Sequence, residues 1–394
     1  MLSCGITDLK AVFLRDIADI QTGPFGSQLH QEDYVVAGTP IVTVEHLGKR
    51  RFTTQNLPMV SDADKQRLQK YILHKGDIVF SRVGSVDRCS FVEREHDGWM
   101  FSGRCLRVRP LEMVDSEYLY YYFCGEETKQ FVRNIAVGAT MPSINTKLLG
   151  EVPIALPDME TQKKIAAIVS SIDHKIEINE EINDNLLQQA MAIFNERYDS
   201  AEERCPFTSL IHVLGGGTPK TGNPEFWNGD IPFFTPKDVG NPYTFQTEKM
   251  ITSTGLEHCN SRLYPKNTSF VTARGTVGKV SLAGKPMAMN QSCYALSSDS
   301  IDPILVYFYT LRAVESLKHK ASGAVFDAIV TRDFETEIVP VIPADESKAI
   351  LALIAPMMEA IHTHSEESIR LAALRDALLP QLMSGEIDVS SITL

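Results

Sequence analysis

The chain repeats itself, and no other feature limits its possible folds as much. Pro40-Ile41-Val42-Thr43 returns as Pro232-Phe233-Phe234-Thr235, 192 positions later. The turn Arg82-Val83-Gly84-Ser85-Val86 returns as Arg274-Gly275-Thr276-Val277, read here as one residue shorter. Gly138-Ala139 with Ile144 returns as Gly323-Ala324 with Ile329, and a proline pair follows each time, Pro153 with Pro157 and Pro340 with Pro343. A polar helical stretch closes each repeat. A duplicated globe-plus-helix unit predicts a pseudo-two-fold object, which suits a target that also comes in two parts.

Charge is distributed as unevenly as the repeats are regular. The net charge is -12, yet residues 1–150 sum to 0 and residues 201–340 to -1, whereas 151–200 carry -6 and 341–394 carry -5. The acid excess therefore sits on the helical stretches. If the chain meets nucleic acid, the neutral globes do so, and a partner must supply most of the phosphate-neutralising cations. No apolar run approaches the ~20 residues that cross a bilayer, and the amino terminus has no basic-then-apolar leader, so a cytoplasmic protein is expected. The seven cysteines are scattered without CxxC spacing, which predicts reduced thiols acting as small buried hydrophobes.

Both globes read as α+β. Short strands are expected at Val12–Leu14, Pro40–Val44, Asp77–Phe80, Ser90–Val92 and Leu106–Val108, with a helix over Ser116–Arg133 that starts near Tyr118, Tyr121 and Tyr122. The second globe repeats the order: strands at Phe207-Thr208, Ile231–Thr235, Ser269–Thr272 and Val280–Leu282, then a helix over Pro303–His319. The expected divisions are a first globe over 1–157, a central helix over 158–200, a second globe over 201–343 and a closing helix and tail over 344–394. Asp158 is placed to cap the central helix, with Glu160 in its first turn.

Along that helix Ile165, Ile168, Ile172, Ile182, Leu186 and Ile193 fall on a seven-residue repeat whose other positions are Lys175, Asn179 and Gln189. The closing helix places Ile350, Ile354, Met357, Ile361, Leu371, Leu378 and Leu382 likewise, with His364, Ser368 and Arg375 between them and Pro356 as an expected kink. Two such helices, each about 37 residues and ~55 Å long, can pair as an antiparallel coiled coil that holds the globes apart.

A search for catalytic chemistry returns nothing coherent. A methyltransferase should show a glycine-rich cofactor loop and an Asn/Asp-Pro-Pro-aromatic motif. Asn241-Pro242-Tyr243 lacks the second proline, and Gly215-Gly216-Gly217 leads to Thr218-Pro219 without a helix behind it. Asp158 with Asp173 and Lys175 imitates nuclease spacing, but both acids belong to one helical stretch rather than to strands converging on a metal. No P-loop, metal helix or nucleophile elbow is present. No catalytic residue, bound cofactor or metal is therefore assigned to this chain.

Candidates for reading DNA are better placed. Lys49, Arg50 and Arg51 form a compact basic loop after a strand, and Arg82, Ser85 and Arg88 bracket a Gly/Ser turn. Thr235, Lys237, Arg274, Thr276 and Lys279 stand at matching places in the second globe, as Thr43 does in the first. Lys220, Thr221 and Asn223 form a polar loop unlike its counterpart at Gly26, Ser27 and Gln28. Such loops reach phosphates through backbone N–H groups and guanine edges through Arg. Two readers of different sequence should keep a scaffold and vary their loops.

Thr39-Pro40-Ile41 and Ile231-Pro232-Phe233 before a Thr, the turns Ser81–Val86 and Ala273–Gly278, the Pro-rich entry to each helix and the closing Leu378-Leu379-Pro380-Gln381-Leu382-Met383-Ser384-Gly385-Glu386-Ile387 occur in an order that resembles the DNA-specificity subunit of type I restriction-modification systems. The resemblance covers essentially the whole chain. It implies two target-recognition domains, each reading half of a split double-stranded DNA sequence. It also implies an antiparallel coiled coil that docks two adenine-methylating subunits, with restriction subunits completing an ATP-driven nuclease. The helix seam from Ile165 to Leu378 is then also the expected docking region. S-adenosylmethionine, Mg and ATP would belong to partner subunits. The sequence departs from the pattern where Asp87 stands opposite Gly278, and in its acidity. The competing reading is a DNA-independent structural adaptor that holds two protein partners at a fixed separation. A fused methyltransferase is disfavoured by the missing cofactor loop.

If the helices set the spacing, adding or deleting one turn in both should shift the preferred gap between half-sites in a methylation-site map. An unchanged gap would refute the idea.

Overall fold

A computed structural model describes residues 10–26, 28–320 and 328–392. Ser27, Gly323 and Ala324, and Cys4 among the seven cysteines, lie outside the described residues. The chain divides into two compact units, Met1–Lys175 with Leu371–Leu394, and Ile176–Arg370. The boundary between them falls inside both long helices, Met159–Ser200 and Ala344–Met383.

The first unit holds an antiparallel sheet ordered Ala18–Thr22, Cys105–Pro110, Ile78–Ser81, Cys89–Phe91. A second sheet runs Tyr34–Val35, Met59–Val60, Thr39–Val42, Met100–Phe101, its last pair parallel with Ile41 opposite Met100. The strand Ile78–Ser81 is apolar without a break because both of its faces are covered. Ile78 and Phe80 face a core shared with the helices, while Val79 packs with Val42, Phe101 and Cys105 beneath the other sheet.

The second unit repeats the plan. His212–Gly215, Cys293–Ser297, Ser269–Thr272, Val280–Ala283 and Tyr243–Thr244 form one sheet, and Lys249–Ile251, Trp227–Phe234 and Ala288–Met289 the other. Its parallel pair sets Phe233 opposite Ala288, the counterpart of Ile41 and Met100. A two-stranded clasp closes each lobe where the proline pairs lie: Lys10–Phe13 with Pro153–Leu156, and Arg204–Pro206 with Ile338–Pro340. The strand order expected from the repeats is thus present twice.

Three expectations need correction. The helix expected over Ser116–Arg133 is two helices, Ser116–Cys124 and Glu126–Ile135, broken at Gly125, whose extended backbone caps the first. Phe207-Thr208 lies in a single 3-10 turn, because the clasp strand ends at Pro206 and Phe207 turns inward to full burial. The seven-residue seam also drifts off its face. The positions turned inward in the central helix are Ile165, Val169, Asp173, Ile176, Asn179, Asn183, Leu187, Ala190, Phe194 and Tyr198, about 3.7 residues per step, so a strict 3.5 repeat walks out of the contact. Lys175, Ile182 and Gln189 are accordingly exposed.

Within each unit the two helices run antiparallel. In the first, Arg375 reaches Asp173 at 2.7 Å. In the second, the Asn179 amide donates to Glu367 Oε2 at 2.8 Å and to Ser368 Oγ at 3.3 Å, and the Asn183 amide donates to Ser365 Oγ at 3.3 Å. Asp158 caps the central helix as expected, its Oδ1 accepting the Thr161 N–H at 3.0 Å. Each lobe core incorporates helix ends: Ile165, Ala166 and Val169 with Leu379 and Leu382 in the first, and Phe194 and Tyr198 with Ile354, Met358 and Ile361 in the second.

Phe194 is fully buried, with ring centroids 5.5 Å from Phe308 and 5.2 Å from Tyr309. Phe194→Ala should therefore destabilise the second lobe by about 3–5 kcal/mol, measured as a lowered urea midpoint.

Candidate nucleic-acid interface

In the second lobe the candidate residues converge. The Thr235 N–H and hydroxyl both donate to Asp238 Oδ2, at 2.8 and 2.6 Å, so the strand Trp227–Phe234 ends in a tight turn that projects Lys237 into solvent. The Arg274 turn leans on that loop through Thr276 Oγ1, which donates to the Pro236 carbonyl at 3.1 Å. Between them lies a groove of about 400 Å³ lined by Thr235, Lys237, Lys249, Arg274, Asn290 and Ser292. Three of these side chains are cations; Glu248, the one acid in the lining, pairs with Lys237 at 3.6 Å, and the Asp238 carboxylate is taken up by Thr235, so a lobe that is neutral overall carries an excess of positive charge here.

The polar loop joins the same face. The Trp227 indole N–H donates to the Lys220 carbonyl at 3.3 Å, and the Lys249 ammonium lies 5.6 Å from the Trp227 ring centre. Lys220 and Thr221 are exposed, whereas Asn223 spends its carbonyl on the Glu225 N–H at 3.2 Å, starting a short turn. Lys279 is exposed at the far end of the Arg274 turn. Beside it Lys318 donates to the Gly278 carbonyl at 2.6 Å, and burial, then the charge of Lys279, holds Lys318 below the ordinary lysine range. Gly278 sits at φ +71°, and a side chain there would collide with Lys318.

Backbone hydrogen bonds set the correspondence between the two turns. Ser81 N–H donates to Arg88 O at 2.9 Å as Thr272 N–H does to Lys279 O at 3.0 Å, and Ile144 N–H donates to Arg82 O at 2.9 Å as Ile329 N–H does to Ala273 O at 3.0 Å. Gly84 and Gly275 share positive φ, +75° and +82°. The turns are therefore equal in length, which corrects the shorter second turn read from sequence. Arg82 corresponds to Ala273, and Arg274 to Val83. The two arginines sit at adjacent rather than equivalent places, because the bond pattern, not side-chain identity, fixes the register. Asp87, opposite Gly278, takes a different environment and pairs with Arg133 at 2.6 Å.

In the first lobe the candidates divide into exposed and committed groups. Lys49, Arg51, Ser85 and Arg88 are exposed, Arg51 with Glu95 at 3.5 Å and Arg88 reaching back to the Leu47 carbonyl. Arg82 donates to Gly103 O at 3.2 Å and stacks over Phe25 at 5.7 Å. Thr43 is half-buried and closes its own turn, its hydroxyl 3.0 Å from His46 Nδ1.

Arg50 must be withdrawn as a DNA contact. Its side chain is 5% exposed and donates to Glu93 at 2.8 Å, Glu117 at 2.5 Å and the Tyr121 hydroxyl at 2.7 Å. These acids and the tyrosine outweigh the burial that opposes its charge and hold its pKa above the ordinary arginine value. The middle cation of a basic triplet has turned inward while its neighbours face water.

Sequence reading missed Phe25 and Arg104 in the first lobe, both exposed, and Trp227, Lys249, Asn290 and Ser292 in the second. One signal was available. Ser102-Gly103-Arg104-Cys105 and Asn290-Gln291-Ser292-Cys293 form a further repeat, with Ser102 N–H bonding Val42 O at 2.8 Å and Asn290 N–H bonding Phe234 O at 3.0 Å. Its two cysteines are buried, and burial pushes both thiols up to about 12. They pack as small hydrophobes and do not act as nucleophiles.

Among the described residues no group of His, Cys, Asp or Glu could hold a metal ion, and no helix is long and apolar enough to cross a membrane. The sequence matches the type I restriction modification DNA specificity domain over residues 7–188 and again over 206–371. Among curated proteins it is 24% identical to the HindI specificity subunit of Haemophilus influenzae, over 81% of this chain and 88% of that one. It is 23% identical to the MjaIX specificity subunit of Methanocaldococcus jannaschii, over 72% of each. Its fold is similar to the type I restriction-modification S subunit from M. genitalium, with TM-score 0.62 at 13% identity, covering 97% of this chain and 98% of that one. Both lobes match the one domain, in the tandem order the repeats predict, and the chain belongs to the type I restriction-modification DNA specificity family.

Proposed function

We propose that the two lobes read the two halves of a split double-stranded DNA target, the second through the Thr235–Arg274–Asn290 groove and the first through Arg82, Arg104 and the Lys49 and Arg51 loop. The observation that carries this reading is the convergence of separately repeated motifs on one cationic groove in the second lobe, with the same backbone bonds framing the corresponding place in the first. A protruding turn with Arg and Asn beside it suits guanine and adenine edges in the major groove, and flanking lysines suit phosphate.

The chain is the non-catalytic specificity subunit, a DNA-recognition scaffold that assembles with modification and restriction subunits. The methyl donor, Mg and ATP come with those partners, and the working complex is cytoplasmic. Partner docking falls on the outward face of the helices rather than on the seam. Ile178 and Ile182 are exposed one turn apart, while Ile165 and Ile354 are consumed inside the lobes. An adaptor with no DNA role would have no use for a cationic groove between repeated motifs.

In the complex with its methylating subunits, Arg274→Ala should weaken binding by ~1–3 kcal/mol and relax base preference in one half-site only. Arg82→Ala should do the same in the other half. Competition gel shifts with DNA substituted in each half measure both, and equal loss on every sequence would show phosphate contacts instead.

A further inference from the structure

Arg50 begins a buried chain of polar contacts that crosses four segments of the first unit. It donates to the Tyr121 hydroxyl at 2.7 Å, that hydroxyl donates to Asp173 Oδ2 at 2.9 Å, and Asp173 Oδ1 accepts from Arg375 at 2.7 Å. The segments are the basic loop, the helix Ser116–Cys124, the central helix and the C-terminal helix. Arg50, Tyr121 and Asp173 are 6%, 1% and 7% exposed. The Arg50 guanidinium also lies over the Phe91 ring at 4.9 Å. Hydrogen bonds between buried charges are directional, and loss of one partner strands the next charge, so this chain admits one orientation where apolar packing would admit several.

The cationic loops are fastened to the start of the chain. Arg50 O accepts the Phe91 N–H at 2.8 Å, and Ser90 Oγ donates to Lys49 O at 2.7 Å, which ties the loop carrying Lys49 and Arg51 to the strand that leaves the Arg82–Arg88 turn. The second lobe is built differently at the matching place. There the Leu282 N–H donates to Pro242 O at 2.7 Å, and the uncharged Pro242 is followed by Tyr243 and Phe245, packed 5.1 and 4.8 Å from the His362 ring of the C-terminal helix. One lobe is keyed to its helices by charge, the other by aromatic packing.

We propose that the Arg50–Tyr121–Asp173–Arg375 chain is the element that positions the first lobe's DNA-reading loops on the helix pair. Tyr121 and Asp173, both buried, thereby govern how strictly one gap length between half-sites is required. The inference rests on the split-target reading. The full chain, assembled with its methylating subunits, is assayed for adenine methylation on duplexes with the native gap and with gaps one base pair longer or shorter. Tyr121→Phe and Asp173→Asn should raise the off-gap to native-gap ratio of kcat/KM by about tenfold, with base preference in each half-site unchanged. An unchanged ratio in a variant that melts cooperatively overturns the proposal, as does an equal loss on every gap, which would mark a purely structural role. Should Asp173→Asn not assemble, Tyr121→Phe, which removes one hydroxyl, decides alone. Failure of the split-target reading is visible separately, as wild-type methylation indifferent to half-site sequence.

Discussion

Neither lobe closes its core without the two long helices. Ile165 and Val169 enter the first core as the central helix departs, and Leu379 and Leu382 enter it as the C-terminal helix arrives; Phe194 and Ile354 do the same in the second. Burial of these side chains fastens each lobe to two helical segments at once. A lobe of short strands gains from this, because sheets of two to five strands leave one face open until a helix covers it.

Within each unit the helix pair is apolar where it packs into the lobe and carries polar side chains at inward positions beyond it. Asp173, Asn179 and Asn183 occupy inward positions and find partners on the opposite helix within their own unit. A buried polar position contributes less stability than leucine would, but it penalises a slipped alignment, since every shifted register leaves an amide or carboxylate without its partner. In each unit the polar positions thus select register, and the apolar ones supply adhesion.

Much of this was legible in the sequence because it depends on local rules. Ser269–Thr272 was read to its end residues, Asp158 was identified as the cap of the central helix, and the two-fold repetition of the strands followed from motif order. Elsewhere a side chain's direction matters more than its type. Lys49-Arg50-Arg51 looks like three equivalent cations, yet the middle one turns inward because Glu93, Glu117 and Tyr121, distant in sequence, meet it there. Arg82 and Arg274 were paired by identity, whereas the ladder pairs Arg82 with Ala273.

The groove in the second lobe marks the same limit. Thr235 and Arg274 were visible as repeated motifs, but Lys249 and Asn290 joined them only once the strands Lys249–Ile251 and Ala288–Met289 lay on either side of Trp227–Phe234. By itself the sequence determined the duplication, the neutral lobes with acidic helices, and the positions where chains must turn or helices begin. These follow from residue type, spacing and backbone preference, which act within a few residues. Only the tertiary structure decided which cations face water and which become struts, how the two turns align, and which strands bring their ends to one groove. Those outcomes depend on partners tens to hundreds of residues away, whose meeting is settled by packing and by the need to pair every buried charge.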